Sequence, residues 1–125
     1  MLIKSNYCNT CINSDYIVAT NIYFNSSNSL EEEDVKEFFS RFYEIYNRNS
    51  SLCTENDGYI EITVKIEIDT TRGCYDIYSY TGRIYNINEY HRFMKAEIKI
   101  YNDFISAINN SNPYEFKNGE DDNAN

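Results

Sequence analysis

The sequence predicts an α+β domain: an antiparallel sheet with two helices packed on one face, in the order strand, strand, helix, three-stranded meander, helix (ββαβββα). Three patterns carry this. From Ile60 to Ile68 every even position is a β-branched aliphatic residue and every odd one is polar, which is a strand with one dry and one wet face. Val35, Phe38, Phe39, Phe42, Ile45 and Tyr46 recur at helical spacing, as do Tyr90, Phe93, Met94, Ile98, Tyr101, Phe104, Ile105 and Ile108. Clusters of Asn, Ser, Asp and Gly punctuate the rest.

Residues 1–8 and Tyr16–Phe24 have the β-branched and aromatic content of strands, expected as a hairpin or as edge strands, with a turn over Asn9–Asp15 and a loop over Asn25–Asn28. Ser29-Leu30-Glu31-Glu32 fits a capping box, in which Ser29 accepts first-turn amides and Glu32 reaches back. Glu31, Glu32, Glu33 and Asp34 complement the positive end of the helix dipole. This helix is expected to fade near Asn47–Asn49, before a polar loop from Ser50 to Asp57.

Tyr59–Ile68 is the central strand, and each Ile or Val on its dry face contributes ~1.5–3 kcal/mol if buried. Asp69–Gly73 turns the chain, and Cys74–Ser79 returns antiparallel, with Ile77 on the dry face and Asp76 and Tyr78 on the wet one. Tyr80-Thr81-Gly82 reads as a second turn, with Gly82 left-handed, and Arg83–Ile87 as the third strand. Asn86 or Asn88 caps the last helix, with Glu89 three residues after Asn86; Lys95, Lys99 and Asp103 lie on its outer side. Asn109–Pro113 ends it, because a residue before proline avoids helical geometry. The domain is thus expected over residues 1–112, followed by a flexible acidic tail over 113–125.

At 125 residues the chain has the length of one domain. Twenty acidic against 11 basic side chains give a net charge of −9, a field that repels phosphate backbones and anionic membranes and favours a basic protein partner; the bland alternative is solubility alone. Thirteen tyrosines exceed what a core this size can hide with every hydroxyl satisfied, so many belong on the surface. The N-terminal residues lack a signal-peptide run and no segment approaches ~20 apolar residues, so a cytoplasmic location is expected (host cytoplasm if viral). There Cys8, Cys11, Cys53 and Cys74 stay reduced.

Chemical motifs are sparse. Cys8-Asn9-Thr10-Cys11 has the spacing of half a zinc knuckle, which Cys53, Cys74 and His91 would complete, but a second close pair is missing. The plainer reading is four reduced cysteines that act as small buried apolar residues, with no metal or other cofactor. His91 is the only histidine; paired with Cys53 or Cys74 it is the single route to imidazole-assisted catalysis, and no nucleophile signature accompanies it. The glycines are isolated, so no phosphate-cradling loop exists. The chain is therefore read as non-enzymatic.

The informative surface is the wet face of the meander, where Tyr59, Glu61, Glu67, Asp76, Tyr78 and Tyr85 are expected to contact a partner. Carboxylates interleaved with rings match a groove built for nucleic acid, Glu and Asp standing in for phosphate and tyrosine for a base. An ordinary solvated sheet face is the alternative. The acidic excess, the richness in Asn, Ile and Tyr, and the runs Glu31-Glu32-Glu33-Asp34 and Glu120-Asp121-Asp122 resemble small phage-encoded inhibitors of bacterial defence, the anti-CRISPR and anti-restriction proteins. The resemblance is compositional. It implies an inhibitor that occupies the nucleic-acid site of a basic nuclease or ribonucleoprotein complex, against the alternative of a structural, virion or immunity-type protein recognising its partner by shape. Ser29 to Asn110 is also similar in order to the αβββα of double-stranded RNA-binding domains; Asn88-Glu89-Tyr90-His91-Arg92 replaces their basic cluster, which disfavours RNA binding.

Overall fold

The computed structural model describes residues 1–6, 11–48 and 58–116, with the backbone alone for 44–48. The chain has the α+β class that the patterning implies. Its elements are β1 (Leu2–Lys4), β2 (Cys11–Asn13), β3 (Ile17–Asn25), α1 (Glu32–Arg48), β4 (Ile60–Thr70), β5 (Gly73–Ile84), α2 (Ile87–Asn109) and β6 (Tyr114–Glu115). Instead of one sheet there are two of three strands, β2-β1-β6 and β3-β4-β5. The expected turn over Asn9–Asp15 contains β2, which pairs antiparallel with β1 and joins β3 through a 3-10 turn at Ser14–Tyr16. Cys8, Cys53, Ile45, Tyr46, the loop 50–57 and the run Glu120-Asp121-Asp122 lie outside the described residues or side chains.

The meander is a two-stranded hairpin. β5 runs straight through Tyr80-Thr81-Gly82, and the expected third strand is its continuation. Cross-strand pairs explain why no turn forms there: Thr63 and Thr81 share a hydroxyl hydrogen bond of 2.9 Å, and Arg83 Nε lies 3.3 Å from Glu61 Oε2. Such pairs stabilise a ladder by ~0.2–1 kcal/mol each. The real turn is Thr70–Gly73, where Thr70 Oγ1 accepts the Arg72 amide at 3.1 Å and donates to the Gly73 carbonyl at 2.9 Å. Gly73 takes φ +143°, a conformation that favours glycine.

Two compact units divide the chain. The first comprises Met1–Tyr23, Val64–Tyr80 and Lys95–Asn125; the second comprises Phe24–Thr63 and Thr81–Met94. In the second unit Val35 of α1 and Tyr90 of α2 enter one cluster with Ile60, Ile62 and Ile84, flanked by Phe24, Leu30, Phe38 and Phe39. Both helices thus meet the dry face of β4 there. In the first unit Val64, Ile66 and Ile68 are fully buried, as are Ile3, Ile77, Tyr78 and Phe104.

Helix ends follow local chemistry. Asn86 caps α2, its Oδ1 accepting the Glu89 amide at 2.9 Å, while the Glu89 carboxylate accepts the Tyr85 amide at 3.3 Å. Ser29 does not cap α1: it accepts the Glu31 amide two residues on, at 3.3 Å, and the helix starts at Glu32. On α2, Glu97 is buried and Ile98 is 43% exposed; position 97 continues the stripe through Phe93, Tyr101 and Phe104, and position 98 falls off its edge. The residues expected to open the tail are structured: Tyr114–Glu115 pairs parallel with β1, and Phe116 is buried with its ring 4.9 Å from that of Phe104.

Candidate functional site

The expected contact residues divide between the units. Tyr59, Glu61 and Tyr85 fall in the second, and Glu67, Asp76 and Tyr78 in the first.

In the second unit odd positions of β4 face odd positions of β5, which groups Tyr59, Glu61, Arg83 and Tyr85. The rings of Tyr59 and Tyr85 lie 5.7 Å apart, and the Arg83 guanidinium sits 4.6 Å over the Tyr59 ring. An exposed cation–π contact of this kind contributes ~0.5–1 kcal/mol. The hydrogen bond that Arg83 donates to Glu61, ahead of the charge field of Tyr59, holds Arg83 still more firmly protonated than usual. Glu61 is therefore neutralised by its own cross-strand neighbour, and the group is an aromatic, charge-balanced patch.

In the first unit the acidic character survives. Glu67 Oε1 accepts the Tyr23 hydroxyl at 3.5 Å, which brings β3 into the surface. Asp69 accepts from the Cys74 thiol. Lys65 Nζ lies 3.9 Å from Asp76 Oδ2, so Asp76 has a cationic neighbour. Among the described residues no Lys or Arg lies within ion-pair distance of Glu67 or Asp69. The donor atoms of Glu67, Asp69 and Cys74 all fall within 4.8 Å of one another. The Asp69 hydrogen bond, followed by burial and by the charges of Asp69 and Glu67, raises the Cys74 thiol above its ordinary value. Because nucleophilic attack needs the thiolate, the same carboxylates oppose that use of Cys74.

Tyr78 is not on the wet face. Its ring is fully buried and its hydroxyl donates to Glu97 Oε2 at 2.8 Å. The cause is a slip in register. Near the turn Asp69 meets Cys74, whereas farther along Thr63 meets Thr81 and Glu61 meets Arg83, so β5 holds one residue more than β4 between them. The consecutive, fully buried Ile77 and Tyr78 take up that residue as a β-bulge, which turns both side chains inward.

His91 is exposed in the second unit, with Nε2 2.7 Å from Glu32 Oε1; Lys36 Nζ lies 3.7 Å from the same oxygen. The His91 hydrogen bond and then the Lys36 charge lower the Glu32 carboxyl below its usual range. Cys11 and Cys74 are free and exposed, not buried as expected: Cys11 lies on the short strand β2 and Cys74 beside the hairpin turn, where its thiol donates to Asp69.

Arg83 and Tyr23 are the surface residues that sequence reasoning overlooked. Arg83 was legible: it has the parity of Tyr85 and a charge opposite to that of Glu61. Tyr23 was not, because the partner of β3 is set by the sheet order.

The chain matches no protein-family model, no curated protein and no solved structure. Among the described residues no helix is long and apolar enough to cross a membrane.

Proposed function

We propose that this protein is a non-enzymatic, phage-type inhibitor that binds a basic, nucleic-acid-handling protein by presenting an acidic and aromatic strand face in place of nucleic acid. The observation that carries the reading is the uncompensated pair Glu67 and Asp69 beside the Tyr23 hydroxyl on an exposed face of the first unit, in a chain of net charge −9. Glu67 and Asp69 occupy the place of phosphates and Tyr23 that of a base; Glu61, already paired with Arg83, contributes little. Charge of this kind acts chiefly on encounter and on partner choice, so binding depends on salt.

Affinity capture from bacterial lysate at low and high salt, with nucleic acid as competitor, tests the proposal. Recovery of a basic nuclease or ribonucleoprotein subunit that salt and nucleic acid both displace supports it. A second reading, recognition by shape as in immunity-type or structural proteins, draws on the local pairing of Glu61, Asp76, Glu32 and Asp103 with cations and on the exposed Tyr16, Val18 and Tyr43. It predicts a partner retained at high salt and indifferent to nucleic acid.

A further inference from the structure

Independently of the acidic face, the first unit contains a groove of about 480 Å³ between β2, the 3-10 turn and the tip of the β4–β5 hairpin. Its lining includes Leu2, Ile12, Tyr16, Tyr75 and Arg72. Leu2, Tyr16 and Tyr75 are 58%, 50% and 46% exposed, so large apolar side chains converge on one concavity instead of scattering over the surface. The volume lies in the range of small-molecule sites, roughly 300–1,000 Å³, which pair an apolar lining with a few fixed polar groups.

Arg72 is the polar group that defines the ligand. Its guanidinium carbon lies 5.9 Å from the Tyr16 ring centre, and no carboxylate among the described residues stands within ion-pair distance of it. Its backbone is held in place: Thr70 Oγ1 accepts the Arg72 amide, and the Thr71 amide donates to the Tyr16 carbonyl at 3.3 Å. The wall is therefore formed before any ligand arrives, which reduces the ordering cost of binding. A guanidinium presents a planar fork of donors suited to carboxylate, sulfonate or phosphate oxygens.

We infer that this groove binds a small amphipathic anion, with a flat apolar body against Leu2, Ile12, Tyr16 and Tyr75 and an acidic group on Arg72. The probe is 8-anilino-1-naphthalenesulfonate, titrated by fluorescence against the folded full chain, with its uncharged analogue N-phenyl-1-naphthylamine in parallel. The expected result is saturable binding of one sulfonate per chain. Arg72→Gln weakens it by about tenfold or more, the range of a lost charge-assisted hydrogen bond, and Arg72→Lys recovers part of the loss. Arg72→Gln leaves the neutral analogue within about twofold, and saturating sulfonate slows iodoacetamide alkylation of Cys11, which also lines the groove, as read by mass spectrometry. Circular dichroism confirms that each variant is folded. Non-saturable binding, an unchanged sulfonate affinity in Arg72→Gln, or an equal loss for the neutral analogue overturns the assignment.

Discussion

The Tyr78 hydroxyl donates a 2.8 Å hydrogen bond to the carboxylate of Glu97, and both side chains are buried. The Tyr78 ring also lies 5.3 Å from that of Phe116, so the bulge in β5, helix α2 and the segment after β6 meet on one residue. Tyr78→Phe keeps the ring and removes this donor from a buried acid, which costs ~1–3 kcal/mol. A lower urea midpoint with unchanged partner binding is expected. An unchanged midpoint, or lost binding at full stability, would return Tyr78 to the recognition surface.

Gly58 lies against Phe42 in the second unit. A β-carbon built at Gly58 would stand 2.6 Å from two atoms of the Phe42 ring. Gly58→Ala therefore forces that ring to shift and destabilises by ~1–3 kcal/mol, the usual cost of overpacking. Pairing it with Phe42→Leu should reduce the penalty in a double-mutant cycle; strict additivity contradicts the contact.

At the end of α2 the Asn112 amide donates to the Ala107 carbonyl at 2.8 Å and the Ser111 amide to that of Ile108 at 3.1 Å. Ser111 occupies the left-handed position of this Schellman motif, with φ 55°. Glycine accepts that geometry without the β-carbon penalty, so Ser111→Gly should stabilise by ~0.5–1 kcal/mol. Thermal melting checks the sign.

Glu32 supplies a pH signature. Its carboxyl is lowered, first by the His91 hydrogen bond and then by Lys36. A group depressed in the folded state stabilises fully above its unfolded value and loses that contribution as pH falls through the folded one. The difference in urea midpoint between the wild type and Glu32→Gln is thus expected at neutral pH and to vanish on acidification below the ordinary carboxylate range. A pH-independent difference would mean that the pair contributes by shape alone.

The legible parts of the fold are those with long periods. Five aliphatic residues at every second position specified β4, and the apolar stripes specified α1 and α2. Asn86 was readable as a cap because its Oδ1 reaches an amide three residues away. The two-residue strand β6 has no period, and its anchor Phe116 sits in an otherwise polar segment. Tyr78 was misplaced because a bulge changes parity without leaving a compositional mark. Glu97 is a carboxylate on an apolar stripe, and its burial depends on a hydroxyl distant in sequence. Of the expected surface, Tyr59, Glu61 and Tyr85 do group together, but with Arg83, which converts an acidic patch into a balanced one.

The proposed recognition rests on the Glu67 and Asp69 face engaging a basic partner through charge. The most direct measurement is the affinity of Glu67→Lys/Asp69→Lys for the captured partner across a salt series, beside Glu61→Gln as a control on the balanced patch. Recognition through charge predicts that the double reversal weakens binding by tenfold or more, about 1.4 kcal/mol, with a flatter salt dependence, while Glu61→Gln stays near wild type. Unchanged affinity and an unchanged salt slope in the folded double variant would contradict it and leave recognition by shape.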